Sequence, residues 1–174
     1  IRCSVPSIYD GIVYILPSTC MFTHLKNYWM LLIVFLHISL STVYSHAALP
    51  PALKAYEGQV LYLDFWASWC TPCAHSFPWL NQLHSRYQGK LTVVAVNVDE
   101  TRTDAVAFLR THPAQFAVEY DAINNAHSLA KFYKVAGMPA AVLLDAQGNI
   151  LHSHHGFKVG KVAEYEAAIT AALR

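Results

Sequence analysis

Cys70 and Cys73 stand with two residues between them in the stretch Asp64-Phe65-Trp66-Ala67-Ser68-Trp69-Cys70-Thr71-Pro72-Cys73, where an apolar, β-like run gives way to a helical pattern. A cysteine that ends a strand and precedes a helix has its sulfur near unpaired backbone N–H groups and the positive end of the helix dipole. Both favour thiolate over thiol, and Cys70 fits that position. Pro72 suits a first helical turn, because its missing N–H would have lacked a partner there. Cys73 lies one turn further in, close enough to Cys70 for a small disulfide. The pair reads as an attacking and a resolving thiol: Cys70 opens a substrate disulfide, and Cys73 displaces the mixed disulfide that results.

The competing chemistry for C-x-x-C is half of a zinc site, which needs two more ligands at suitable spacing. No second cysteine pair exists, so histidines would have to serve. His152 and His154 share one face of a strand while His155 points the other way, and nothing in the sequence brings them beside the cysteines. An edge-strand or solvated role is expected for these three and an exposed helix position for His75. No metal or other cofactor is expected.

Of the four cysteines, Cys3 and Cys20 belong to the N-terminal part of the chain. From Met21, Lys26 supplies a positive n-region, Met30 to Leu40 an apolar h-region and Ser45-His46-Ala47 a small-x-small cleavage site, the pattern of a secretory signal peptide over 21–47. An uncleaved anchor over 28–44 is the alternative, although the apolar run is short for a span of about 20 residues. Residues 1–20 precede the first methionine and are expected to be an upstream extension without function. With both segments removed, Cys70 and Cys73 remain alone in an exported, oxidising compartment, where two cysteines so close together do not staple a fold.

The 174 residues are 55% hydrophobic and 13% charged, with a net charge of +1. Such a chain suits one globular domain, here 48–174, plus a separate apolar segment. With neither basic patch nor acidic tail, nucleic-acid binding and long-range steering of a charged partner are unsupported.

The elements that must position the thiols follow from periodicity. Val60 to Trp66 and Leu91 to Val98 lack clean alternation, as expected for strands buried on both faces, and the first puts Asp64 inside the core. Between them a helix runs from the cysteines through Phe77, Leu80 and Leu83 to Tyr87, with Pro78 inside it. Thr103 or Asp104 is expected to cap a helix ending near His112, followed by a short strand over 116–120 and a helix over 125–133. Ala140 to Asp145 and Ile150 to His155 flank the turn Ala146-Gln147-Gly148-Asn149 and form a hairpin, and an amphipathic helix over 159–173 closes the domain. Alternating strands and helices followed by a hairpin predict an α/β fold with a mixed central sheet and helices on both faces.

Trp69-Cys70-Thr71-Pro72-Cys73, with Asp64-Phe65-Trp66-Ala67 before it and Gly137-Met138-Pro139 far downstream, resembles the thioredoxin superfamily. Ser76-Phe77-Pro78, Asn97-Val98-Asp99 and Asp145-Ala146-Gln147-Gly148 bring the resemblance closer to its exported TlpA-like thiol–disulfide reductases. It covers the chain from about Gly58 to the C-terminus and implies a thioredoxin-like fold. It also implies Cys70 as nucleophile and Cys73 as resolving thiol. Pro139 matches the family's cis-proline, which leaves the backbone of Met138 free to pair with an extended substrate. Trp69, Thr71, Pro72, Met138 and Pro139 are the expected substrate contacts. Asp64 matches the buried acid of thioredoxins proper, whose raised pKa lets it take a proton from Cys73; the alternative is a plain hydrogen bond within the core. The sequence departs from the family at Ala140-Ala141, where a threonine or serine commonly follows the proline.

The function implied is a monomeric reductase of disulfides in exported proteins, in a bacterial periplasm, re-reduced by a membrane electron donor. Two alternatives stand beside it: an oxidase that introduces disulfides on the same fold, and a non-catalytic thioredoxin-like binding module.

Overall fold

The computed structural model describes residues 49–121 and 128–174. The signal-peptide or anchor segment, residues 1–20, Cys3, Cys20 and the first part of the helix expected over 125–133 lie outside the described residues.

Five strands form one sheet in the order β3-β2-β1-β4-β5. β1 (Val60–Trp66), β2 (Leu91–Asn97) and β3 (Ala117–Tyr120) are mutually parallel, whereas β4 (Ala140–Leu144) runs antiparallel to β1 and β5 (Ile150–His155) antiparallel to β4. β1 is therefore central, and its run from Leu61 to Trp66 is buried on both faces, which explains why its sequence is apolar without alternation. The mixed sheet expected from the order of elements is the one observed.

The helices divide between the faces. Tyr62 and Trp66 point to one side, where Tyr62 meets Trp79 of α1 (Thr71–Arg86) edge to face and Trp66 meets Phe77 of α1 and Phe108 of α2 (Arg102–Thr111). α4 (Val162–Ala172) packs on the same side through Tyr165, which lies against Trp79, and through Glu166, which pairs with Arg86. Phe65 points to the other side and meets Tyr133, just after the short α3 (Leu129–Phe132). Placing α1 and α2 on one face follows from two successive right-handed crossovers in the same direction across the sheet.

Three local features differ from expectation. The cap of α2 is Thr101, two or three residues earlier than predicted: its hydroxyl accepts the Asp104 N–H and donates to the Asp104 carboxylate. α3 is a single turn within the described residues, and its cap comes from a distance. Asp121, at the end of β3, accepts from the backbone N–H groups of Leu129 and Ala130 and from the Ser128 hydroxyl. The C-terminal helix is preceded by a 3-10 turn, Val159–Lys161. Pro78 lies inside α1 as predicted.

Candidate active site

The two cysteines and Pro139 lie at one end of the sheet. β1 leaves the sheet at Trp66 and β4 enters it at Ala140, and the register Phe65 to Ala140 sets Ala67 and Pro139 at the same end. Ala140 in turn pairs with His155 of β5. On the other side, Val98 extends β2 by donating to the carbonyl of Trp66 at 2.9 Å.

Cys70 is the N-cap of α1, in extended backbone conformation, with Thr71 and Pro72 filling the first helical positions. Cys73 donates its N–H to the Cys70 carbonyl at 3.0 Å, and the two side chains form a disulfide with Cα atoms 5.3 Å apart. Cys70 is 4% exposed and Cys73 fully buried. Both cysteines are buried, Cys70 with slight exposure at the positive end of the helix and Cys73 with none. Around them Trp69 is 67% exposed, and Thr71 and Pro72 are exposed as well. A buried disulfide is thus rimmed by side chains that face outward.

Met138–Pro139 is a cis peptide bond, as the resemblance implied. A shallow cavity of about 320 Å³ is lined by Ala136, Gly137, Met138, Pro139, His155 and Gly156. The sequence did not foretell the last two, because only the β4–β5 register brings the end of the hairpin to this wall.

Asp64 is 3% exposed, in the middle of β1, and its partners on the neighbouring strands are Ala95 and Ala141. No cation is offered from either side. Burial pushes its pKa up to about 8, while the Ser76 hydroxyl pulls the other way without offsetting it, and Oδ2 is left without a hydrogen bond. Ser76 is also fully buried and donates its one proton to the Cys73 carbonyl at 2.9 Å. With one proton to give, the hydroxyl serves either the Cys73 carbonyl or the Asp64 carboxylate, and its pull on Asp64 stays weaker than burial. Ser76 joins the acid to the helical turn that carries Cys73.

A second carboxylate, which the motif Asn97-Val98-Asp99 contains but does not mark as part of the site, holds the loop before Cys70. Asp99 accepts the Ser68 N–H at 3.0 Å and the Ser68 hydroxyl at 2.9 Å, and Asn97 Nδ2 donates to it at 2.8 Å. The loop that presents Trp69 and Cys70 is tied to the end of β2 through this one side chain. His75 is exposed, and among the described residues no group of three or more histidine, cysteine or acidic side chains could hold a metal ion.

The chain resembles known proteins in sequence and in structure. The thioredoxin-like family pattern matches residues 58–150, a span that includes both cysteines and Pro139. The thiol-disulfide oxidoreductase ResA of Bacillus thuringiensis subsp. konkukian is 30% identical over 120 residues, 68% of each chain. The thioredoxin-like protein YneN of Bacillus subtilis is 31% identical over 116 residues, covering 65% of this chain and 66% of its own. Among solved structures, a Chlorobium tepidum protein provisionally named thiol:disulfide interchange protein DsbE is 43% identical, with a TM-score of 0.66 over 70% of this chain and 85% of that one. A Cys-x-x-Cys disulfide at a helix N-terminus, a cis-proline at the same end of a sheet of this order, and a sequence that matches over this span make the chain a member of the thioredoxin-like family.

Proposed function

We propose that the chain is a thiol–disulfide oxidoreductase that reduces disulfides in exported proteins. The observation that carries this reading is the Cys70–Cys73 disulfide at the N-terminus of α1, with Cys70 slightly exposed and Cys73 fully buried. In the reduced protein, the Cys70 thiolate attacks one sulfur of a substrate disulfide. That S–S bond breaks, the other substrate sulfur leaves as a thiolate, and a mixed disulfide forms. Cys73 then loses its proton and attacks the Cys70 sulfur, releasing the second substrate thiolate. Two electrons pass to the substrate, and the protein ends with the Cys70–Cys73 disulfide.

Each neighbouring residue has a part in this sequence. The helix terminus favours the Cys70 thiolate. In its ionised form, the minor one below its pKa of about 8, Asp64 receives the Cys73 proton. Trp69, Thr71, Pro72, Met138 and Pro139 meet the polypeptide on either side of the scissile disulfide. A membrane-bound dithiol donor returns the protein to its reduced form, and the protein works as a monomer in a bacterial periplasm. The signal-like segment 21–47 supports export. Among the described residues no helix is long and apolar enough to cross a membrane.

Reduction of insulin disulfides with dithiothreitol as donor tests this reading. Precipitation of the insulin B chain well above the dithiothreitol background is expected, and its absence would overturn the reductase. The reduction potential fixes the direction of transfer: a value near that of thioredoxin, about −270 mV, is expected, and one near about −120 mV would make the protein an oxidase.

A further inference from the structure

His154 lies on the edge strand β5, as expected, and its ring is held on three sides. Its ring stacks on Tyr165 of α4, with centroids 3.9 Å apart and planes 8° from parallel. Nε2 lies 2.9 Å from the Tyr62 hydroxyl of β1, and Nδ1 lies 3.0 Å from the carbonyl of Gly156. A carbonyl only accepts, so Nδ1 carries the proton, and in the neutral ring Nε2 accepts from Tyr62. Burial keeps both partners in these states, holding the His154 pKa below its ordinary value and that of Tyr62 well above.

The bond to Gly156 leads to the substrate wall. Gly156 donates its N–H to the Pro139 carbonyl at 2.7 Å, and its φ of +73° is one that side chains rarely adopt. Gly156 and Pro139 both line the cavity next to Met138. The cross-strand register Asp64, Ala141, His154 puts His154 on the same sheet face as Asp64, two strands away. A chain of contacts thus runs from α4 and β1 through the His154 ring to Gly156 and on to Pro139.

We propose that His154 is a positioning residue for substrate binding: through Gly156 it fixes the Met138–Pro139 wall against which an extended polypeptide bearing the target disulfide docks. The inference rests on the reductase reading above. His154 touches neither sulfur nor substrate, so it acts on recognition, and the redox couple of Cys70 and Cys73 does not depend on it.

Three substitutions separate this role from simple packing. Asn at 154 places an amide N–H where Nδ1 stood and keeps the bond to Gly156. Gln reaches toward Tyr62 and abandons Gly156, and Phe keeps the stacked ring while losing both bonds. In the insulin assay, KM is expected to rise about tenfold for His154→Gln and His154→Phe, the loss of roughly one hydrogen bond, and to stay within about twofold for His154→Asn. All three should keep the wild-type reduction potential. Equal KM values for wild type and His154→Phe, or a His154→Asn variant as impaired as His154→Phe, would overturn the proposal. A readout that needs no variant is the ring's ¹⁵N shift pattern in the wild type: protonation at Nδ1 is expected, and protonation at Nε2 alone contradicts it. Wild-type protein that fails to reduce insulin would refute the reductase, whereas the tautomer and the hydrogen exchange of the Gly156 amide, faster in His154→Phe, still report on the tether.

Discussion

Asp99 holds Ser68 by both its backbone N–H and its hydroxyl, at 3.0 and 2.9 Å, across the gap between the ends of β1 and β2. Two residues later comes Cys70, so this carboxylate sets where the N-terminus of α1 begins.

Replacing it should therefore affect both stability and exchange. Asp99→Ala leaves the Ser68 N–H and the Asn97 amide without their acceptor, and a loss of about 2–3 kcal/mol is expected in urea unfolding of the oxidised protein. Thiol–disulfide exchange should slow in parallel, as the loop carrying Trp69 and Cys70 is released. Ser68→Ala removes only the hydroxyl contact and should cost less than half as much. Comparable losses in the two variants would mean that the backbone contact carries no weight.

Asp64 makes a prediction about pH. Its folded pKa of about 8 lies above the ordinary value of 3.8, so between these values the native state keeps a proton that the unfolded chain has released. The stability owed to this group is complete below about pH 4 and is lost as pH rises to about 8. Asp64→Asn cannot ionise, so in the oxidised protein it should gain roughly 1 kcal/mol at pH 5 and several at pH 9. Unfolding curves at the two pH values test this. The same increment at both would show that Asp64 is not held protonated. Turnover should fall in the same variant, because the resolving step loses its proton acceptor.

Trp69 makes the opposite kind of prediction, since it is large, apolar and 67% exposed. Trp69→Ala removes little that is buried, and stability should change by less than about 0.5 kcal/mol. KM for a protein disulfide should rise several-fold, because the aromatic face beside Cys70 is lost to the substrate. A large drop in melting temperature with unchanged KM would assign Trp69 to the fold instead.

What the sequence disclosed and what it withheld divide along a physical line. β1, α1, β2 and the hairpin were legible because each is decided within a few residues: a doubly buried strand, a proline at the start of a helix, a Gly148 turn with φ of +84°. Cys70, Cys73 and Pro139 were legible as a local motif and a matching distant one. The contributions of Ser68, Ser76, Asp99 and His154 depend on partners in three dimensions, and no spacing in the chain announces them. The cap of α3 is the clearest case, since Asp121 reaches Leu129 and Ala130 across an intervening segment while the adjacent Ser128 gives its hydroxyl proton to Asp121. Alternation along β5 already set His154 and His155 on opposite faces, but the partners of His154, namely Tyr62, Tyr165 and Gly156, come together only in the folded sheet.

The order of attack assigned to the two thiols is the central claim, and trapping tests it most directly. Cys73→Ser, reduced and mixed with a disulfide-containing protein, should accumulate an adduct joined through Cys70, visible by mass spectrometry and released by dithiothreitol. Cys70→Ser should accumulate little or none, because Cys73 is fully buried. No adduct on Cys73→Ser, or an adduct formed mainly by Cys70→Ser, would contradict the account.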